Sequence, residues 1–161
     1  MGKDHKVGES KRRKVDVRNA QVVKRGGYTQ TLEAITAGGF CPFCEEHLFK
    51  HHQRPLLFKT EHWLVTENAW PYKGLRHHFL FIVRKHLERT ENLSPAMWTD
   101  LQRSYQIFVK RYRLKGATLM VRSGDTRITG ATVNHLHAQV IVGSPRTKMT
   151  KPIKALVGFE K

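Results

Sequence analysis

Two histidines and a glutamine alternate along Gly130-Ala131-Thr132-Val133-Asn134-His135-Leu136-His137-Ala138-Gln139-Val140. Alternate side chains of a β-strand point the same way. His135, His137 and Gln139 are therefore expected on one face, with Leu136, Ala138 and Val140 on the opposite, core-facing side. Paired imidazoles on a supported strand suit metal or phosphate chemistry. The chain has ten histidines, so chance pairing competes with that reading until other residues join the set. A second cluster is Cys41-Pro42-Phe43-Cys44, a tight turn that brings two thiols together. Such a pair serves either a metal knuckle or redox exchange, and the redox form opens a helix within a βαβ unit. No βαβ pattern surrounds Cys41 and Cys44, which favours a metal. A closed tetrahedral site then needs two more ligands, commonly histidines. His86 and His135 each border an apolar strand, whereas His47 lies three residues after Cys44. Spacing alone does not rank His86 above His47.

These groups need a frame. Leu56-Leu57-Phe58 and Trp63-Leu64-Val65 read as a hairpin, and residues 67–74 as a loop punctuated by proline and glycine. His78-Phe79-Leu80-Phe81-Ile82-Val83 is a nearly continuous apolar run, the pattern of a central strand covered on both faces. Ser94-Pro95 opens a helix, with serine as cap and proline at the first helical position. Trp98, Leu101, Tyr105, Phe108 and Tyr112 mark its apolar face over about residues 94–113. Tyr28, Leu32 and Ile35 recur at helical spacing before Gly38-Gly39 stops a shorter helix. Residues 45–53 are a helical turn or loop, 117–122 a strand, 123–130 a polar loop, and 153–159 a further short strand.

The 161 residues suffice for one domain with a hydrophobic core, placed at 27–161. Residues 1–26 are polar and basic, and are expected to form a flexible or loosely docked arm. No run approaches the ~20 apolar residues of a membrane span, and no apolar stretch follows Met1 as in a secretory signal. The lone cysteine pair fits a reducing, cytoplasmic setting. The formal charge of +16 favours anionic partners, nucleotides or nucleic acid among them. Arg84, Lys85, Arg122 and Arg127 are the cations nearest the motifs.

Three segments in this order and spacing resemble the histidine triad superfamily of nucleotide hydrolases and transferases: Cys41 to Cys44, His78 to His86, and Gly130 to Gln139. The last is similar to the signature His-φ-His-φ-His-φ-φ, with Gln139 in the third histidine's place. The resemblance spans about residues 28–145. It implies an α+β fold, about five antiparallel strands with packed helices and a structural zinc knuckle. It implies that His137 is a nucleophile forming a nucleotidyl-histidine. Zn2+ would be held by Cys41, Cys44, His86 and His135. His78 and Thr132 would lie near the phosphates, Glu67 or Asn68 at the ribose, and Ser123 in a loop that commonly carries a phosphate-contacting asparagine; this chain has no asparagine at 122–125.

Gln139 departs from the hydrolase pattern. A glutamine amide does no acid–base work near neutral pH, although its NH2 can hold a phosphoryl oxygen. His-x-His-x-Gln resembles the transferase branch that includes galactose-1-phosphate uridylyltransferase and dinucleoside tetraphosphate phosphorylase. That branch implies transfer from a dinucleoside polyphosphate or nucleotide sugar to an acceptor phosphate. The competing expectations are a nucleotide hydrolase, and a basic nucleic-acid-associated module contacting nucleic acid through its arm. The family habit implies a homodimer, with the partner at the 94–113 helix and sheet edge.

Overall fold

The computed structural model describes residues 13–23 and 25–161. Its centre is an antiparallel sheet of β1 (Leu56–Lys59), β2 (Trp63–Glu67), β3 (His77–Val83), β4 (Thr118–Val121) and β5 (His137–Val142), in the order β1-β2-β3-β5-β4. The apolar run 78–83 is the middle strand, as its covering on both faces requires.

The two faces carry different work. Phe79, Phe81 and Val83 point toward helix α4 (Pro95–Arg111) with Trp63, Val65, Ala138 and Val140, and form the main core. Ser94 caps α4 by accepting a hydrogen bond from the Met97 N–H at 3.3 Å, with Pro95 behind it. Leu101 and Phe108 are buried as expected, but Trp98 is 44% exposed. Met97 takes the inward position instead, and its carbonyl accepts the Trp63 indole N–H at 2.9 Å. Trp98 sits about 100° further round the helix.

Leu64, Leu80 and Ile82 face the other way, where Leu48 covers them. β3 and β5 pair Leu80 with Gln139 and Ile82 with His137, so both polar residues share this second face. Three helices border it: α1 (Val17–Val23), α2 (Tyr28–Gly38) and α3 (Glu45–His51). α2 ends where Gly39 adopts φ 68°, its N–H reaching the Ile35 and Thr36 carbonyls at 3.1 Å. The segment 45–53, ambiguous in sequence, is largely α3.

The structure differs from expectation in four further places. Residues 13–23 of the expected arm are docked: Val15 bridges Val133, and buried Asn19 donates to the Thr126 and Ala131 carbonyls at 2.8 and 2.7 Å. Arg25 is docked as well, on the Trp70 carbonyl, and residues 1–12 and Lys24 of that arm lie outside the described residues. The histidine strand begins at His137, not Gly130: residues 132–134 pair instead with Lys14, Val15 and Asp16, and Leu136 bonds the Leu87 carbonyl. Before it, α5 (Thr126–Thr129) interrupts the expected polar loop. Residues 153–159 form no strand; the Leu156 carbonyl accepts from Arg122 instead of a ladder N–H. Among the described residues no helix is long and apolar enough to cross a membrane.

Candidate functional site

Four side chains converge where the Cys41–Cys44 turn meets the start of β5. The ligand atoms of Cys41, Cys44, His86 and His135 all lie within 4.8 Å of one another. Cys41 Sγ is 3.3 Å from His135 Nδ1, Cys44 Sγ is 3.4 Å from His86 Nδ1, and the two Nδ1 atoms are 3.1 Å apart. A tetrahedral zinc with nitrogen at ~2.0 Å and sulfur at ~2.3 Å has ligand–ligand edges of roughly 3.3–3.8 Å. The donor set therefore fits such an ion. The far nitrogens are fixed from outside. His135 Nε2–H donates to the Val83 carbonyl at 2.6 Å, and His86 Nε2 lies 3.5 Å from the Glu88 carboxylate. The Val83 contact keeps the His135 proton on Nε2 and turns its Nδ1 lone pair inward, while His86 Nε2 lies between Glu88 and Lys14 Nζ, the latter at 3.2 Å. Burial lowers His135 to about 3, so it stands neutral, as a ligand must. Burial pushes the Cys41 thiol up to about 12, so a bound cation is what would make it a thiolate. His47 is elsewhere, on the Phe40 ring with centroids 4.7 Å apart and beside Glu46. The fold brings His86, not His47, to the cysteines.

Beside this cluster opens a cavity of about 460 Å³. His137 and Gln139 form part of its wall from β5, and Thr132 from the preceding loop. Aromatic rings of Tyr28, Phe43, Trp70 and Tyr72 supply much of the remainder. His137 Nδ1 lies 2.7 Å from the His135 carbonyl. A carbonyl only accepts, so Nδ1 carries the proton and Nε2 keeps a free lone pair. The Phe43 ring edge backs the imidazole at 5.0 Å. Burial lowers His137 to about 4, leaving it neutral at pH 7.

Gln139 is oriented by a chain of donors. The Tyr72 backbone N–H donates to His78 Nδ1 at 3.3 Å. His78 must then carry its proton on Nε2, which lies 2.9 Å from Gln139 Oε1. The amide oxygen is thereby occupied, and the NH2 is left to face the cavity. Asn68 buttresses the same ring through Nδ2, while its Oδ1 accepts from the Trp70 N–H at 2.9 Å. Burial lowers His78 to about 4, so this neutral arrangement persists through the physiological range.

The other expected residues divide. Thr132 lines the cavity with its hydroxyl bonded to Tyr28 Oη. Asn68 also lines it, whereas His78 stands behind Gln139. Glu67 is not in the wall; its carboxylate lies 4.0 Å from Arg54 at the end of β2. Ser123 is also absent, its Oγ held by the Thr90 N–H at 2.8 Å. Of the four cations, Arg84 pairs with Glu45 and Arg127 with Asp125, while Arg122 lines the cavity. Sequence reasoning missed Arg25, which lay in the expected arm but spreads over the Tyr72 ring at 4.5 Å. Trp70 and Tyr72 were read only as loop; aromatics crowded beside Pro71 were the available signal. His52, in the 45–53 segment to which no site role was given, bonds Thr66 Oγ1 at 2.9 Å and borders the cavity.

No protein-family model and no curated protein matches the chain. Solved structures do. A hypothetical histidine triad nucleotide-binding protein from Sulfolobus tokodaii is 19% identical, with a TM-score of 0.52, covering 75% of this chain and 82% of its own. A HIT family hydrolase from Legionella pneumophila is 16% identical with a TM-score of 0.52, covering 66% and 97%. A zinc-bound histidine triad family protein from Mycobacterium smegmatis is 17% identical with a TM-score of 0.50, covering 66% and 79%. These structural neighbours are histidine triad proteins, and at such identities the likeness is one of fold: the chain has the HIT-like fold.

Proposed function

We propose that the chain is a nucleotide-handling enzyme that works through a covalent nucleotidyl-histidine at His137. The observation that carries this reading is the His137 Nδ1–H bond to the His135 carbonyl, which leaves an unprotonated Nε2 at the cavity wall. In the first step the Nε2 lone pair attacks a nucleotide's α-phosphorus. A P–N bond forms as the P–O bond to the leaving phosphate breaks, and that oxygen departs with the electron pair. The positive charge developing on the ring is met at Nδ1–H by the same carbonyl. In the second step an acceptor oxygen attacks phosphorus, the P–N bond breaks, and Nε2 regains its lone pair. Splitting one displacement into two lowers the barrier of each.

Gln139 favours a phosphate acceptor. With its oxygen held by His78, it offers N–H donors to a phosphoryl oxygen but no proton for transfer. A polyphosphate or sugar phosphate leaves as an anion and needs little protonation. A phosphate dianion attacks without surrendering a proton first, whereas water requires a base. The donor class is therefore a dinucleoside polyphosphate or nucleotide sugar. Hydrolysis is the second reading, favoured by the hydrolase description of the Legionella neighbour. Turnover of a panel of both donor classes, with and without inorganic phosphate, separates them: product dependent on phosphate indicates transfer, and product in water alone indicates hydrolysis.

Cys41, Cys44, His86 and His135 are assigned to a structural zinc on their donor chemistry and spacing. When bound it would supply a cross-link, tying the 41–44 turn to the root of the catalytic strand. The 27–161 segment would be the catalytic domain. A homodimer would use the exposed edge strand β4 and the outer face of α4, where Trp98 and Ile107 are exposed.

A further inference from the structure

Arg122 is a cation for which the cavity supplies no carboxylate. It follows β4 and is partly buried in the wall, which contains no Asp or Glu among the described residues. One Nη2 hydrogen bond goes to Tyr72 Oη at 2.8 Å and another to the Leu156 carbonyl. Its Nε is buried with no hydrogen-bond partner. A buried donor on a charged group is costly to leave unmade. A guanidinium stays charged and matches phosphate oxygens with paired donors. The other wall cation, Arg25, is spent differently, on the Trp70 carbonyl at 2.6 Å and the Tyr72 ring.

The group on Arg122 is a main-chain carbonyl from the C-terminal segment. Leu156 itself lines the cavity and packs on Gly130, where an added Cβ would lie 2.6 Å from Leu156 Cγ. The contact is close, yet residues 150–161 form no helix or strand that would hold them independently. A carbonyl is a weak partner for a guanidinium compared with a phosphate dianion.

We propose that Arg122 receives the phosphate group that leaves the phosphorus attacked by His137, and that the Leu156 carbonyl holds one of its donors until that anion arrives. The assignment rests on the nucleotidyl reading of His137. It makes the site selective for substrates whose leaving group is itself a phosphate, over nucleotides whose leaving group is neutral.

Inorganic pyrophosphate is the probe, titrated into the full chain by calorimetry at low salt. Wild type should bind it, and Arg122→Gln should weaken binding at least about tenfold, with partial recovery in Arg122→Lys. Arg127→Gln, which removes an exposed cation paired with Asp125 outside the cavity, should bind as wild type does. Tryptic cleavage after exposed Lys154 in the wild type should quicken on binding, and this measurement stands even if Arg122→Gln does not fold. Wild-type affinity in a folded Arg122→Gln, or no binding by wild type, overturns the Arg122 assignment. Unchanged cleavage after Lys154 overturns the placeholder role. Pyrophosphate has no nucleoside and needs no bond to His137. Adduct formation absent with pyrophosphate binding intact would instead refute the nucleotidyl reading alone.

Discussion

At the scale of single residues, His137 and Gln139 are set by their neighbours. In the proposed mechanism His137 can act as a nucleophile because its Nδ1–H donates to the His135 main-chain carbonyl and leaves Nε2 unprotonated. Gln139 presents its NH2 because His78 holds its oxygen. Replacing that amide with an acid–base group should change the acceptor: Gln139→His is expected to raise the ratio of hydrolysis to phosphate-dependent turnover by about tenfold or more. An unchanged product ratio would remove Gln139 from the choice of acceptor. His78 also predicts an acid limb in stability. Its value falls from the ordinary 6.5 to about 4 on folding because it is buried. Between those values the unfolded chain binds a proton that the native chain refuses, so stability rises with pH through the window and is fully present above it. Urea unfolding at pH 7 and pH 4.5 should show a larger loss in wild type than in His78→Gln, by about 1–3 kcal/mol. Equal losses would contradict it. The Cys41–Cys44 pair was legible because it is local, whereas His86 and His135 are brought to it only by the fold, and spacing alone did not rank His86 above His47. The orientation of Gln139 was not legible, because it depends on a Tyr72 N–H contributed by a distant loop.

The elements explain why the site needs more of the chain than its motifs. β5 starts at His137, and residues 132–134 before it are held by pairing with residues 14–16. The sequence extends the strand back to Gly130 because the alternation continues there, and the docking partner was not legible because it has no apolar period. The reverse held for β3, whose unbroken apolar run left one reading. The Cys41–Cys44 turn joins α2 to α3 and meets β5 through the Cys/His cluster and the Phe43 ring. Cys44→Ser is therefore expected to lower zinc content from one ion per chain to near zero. The melting temperature should fall several degrees, and chelation of wild type should have the same effect. Elemental analysis with a thermal melt checks this. Full zinc content in Cys44→Ser would place the metal elsewhere, and no metal in wild type would remove it.

For the whole molecule, the charge of +16 and a cavity wall without carboxylates act together. Long-range attraction of an anionic substrate is screened within about 10 Å at 0.1 M salt, whereas chemistry inside a closed cavity is not. Raising salt from 50 to 300 mM should increase KM for a dinucleoside polyphosphate several-fold and leave kcat within about twofold. A salt-independent KM would confine recognition to local contacts. The fold class and the five-stranded sheet were legible at this scale through the resemblance of the three motif segments to the histidine triad superfamily, because apolar runs by themselves do not fix the order in which strands pair. The aromatic cavity was not, because its wall is assembled from α2, the 68–72 loop and the C-terminal segment.

The central claim is that His137 Nε2 bonds to phosphorus. Acid-free quenching of the full chain with a dinucleoside tetraphosphate, in the absence of acceptor phosphate, followed by intact-mass and peptide analysis, tests it directly. The expected result is a mass increase of one nucleoside monophosphate on the peptide containing His137, lost in mild acid, discharged by added phosphate and absent in His137→Ala. Substrate turnover with no adduct in the wild type, and undiminished in His137→Ala, would contradict it.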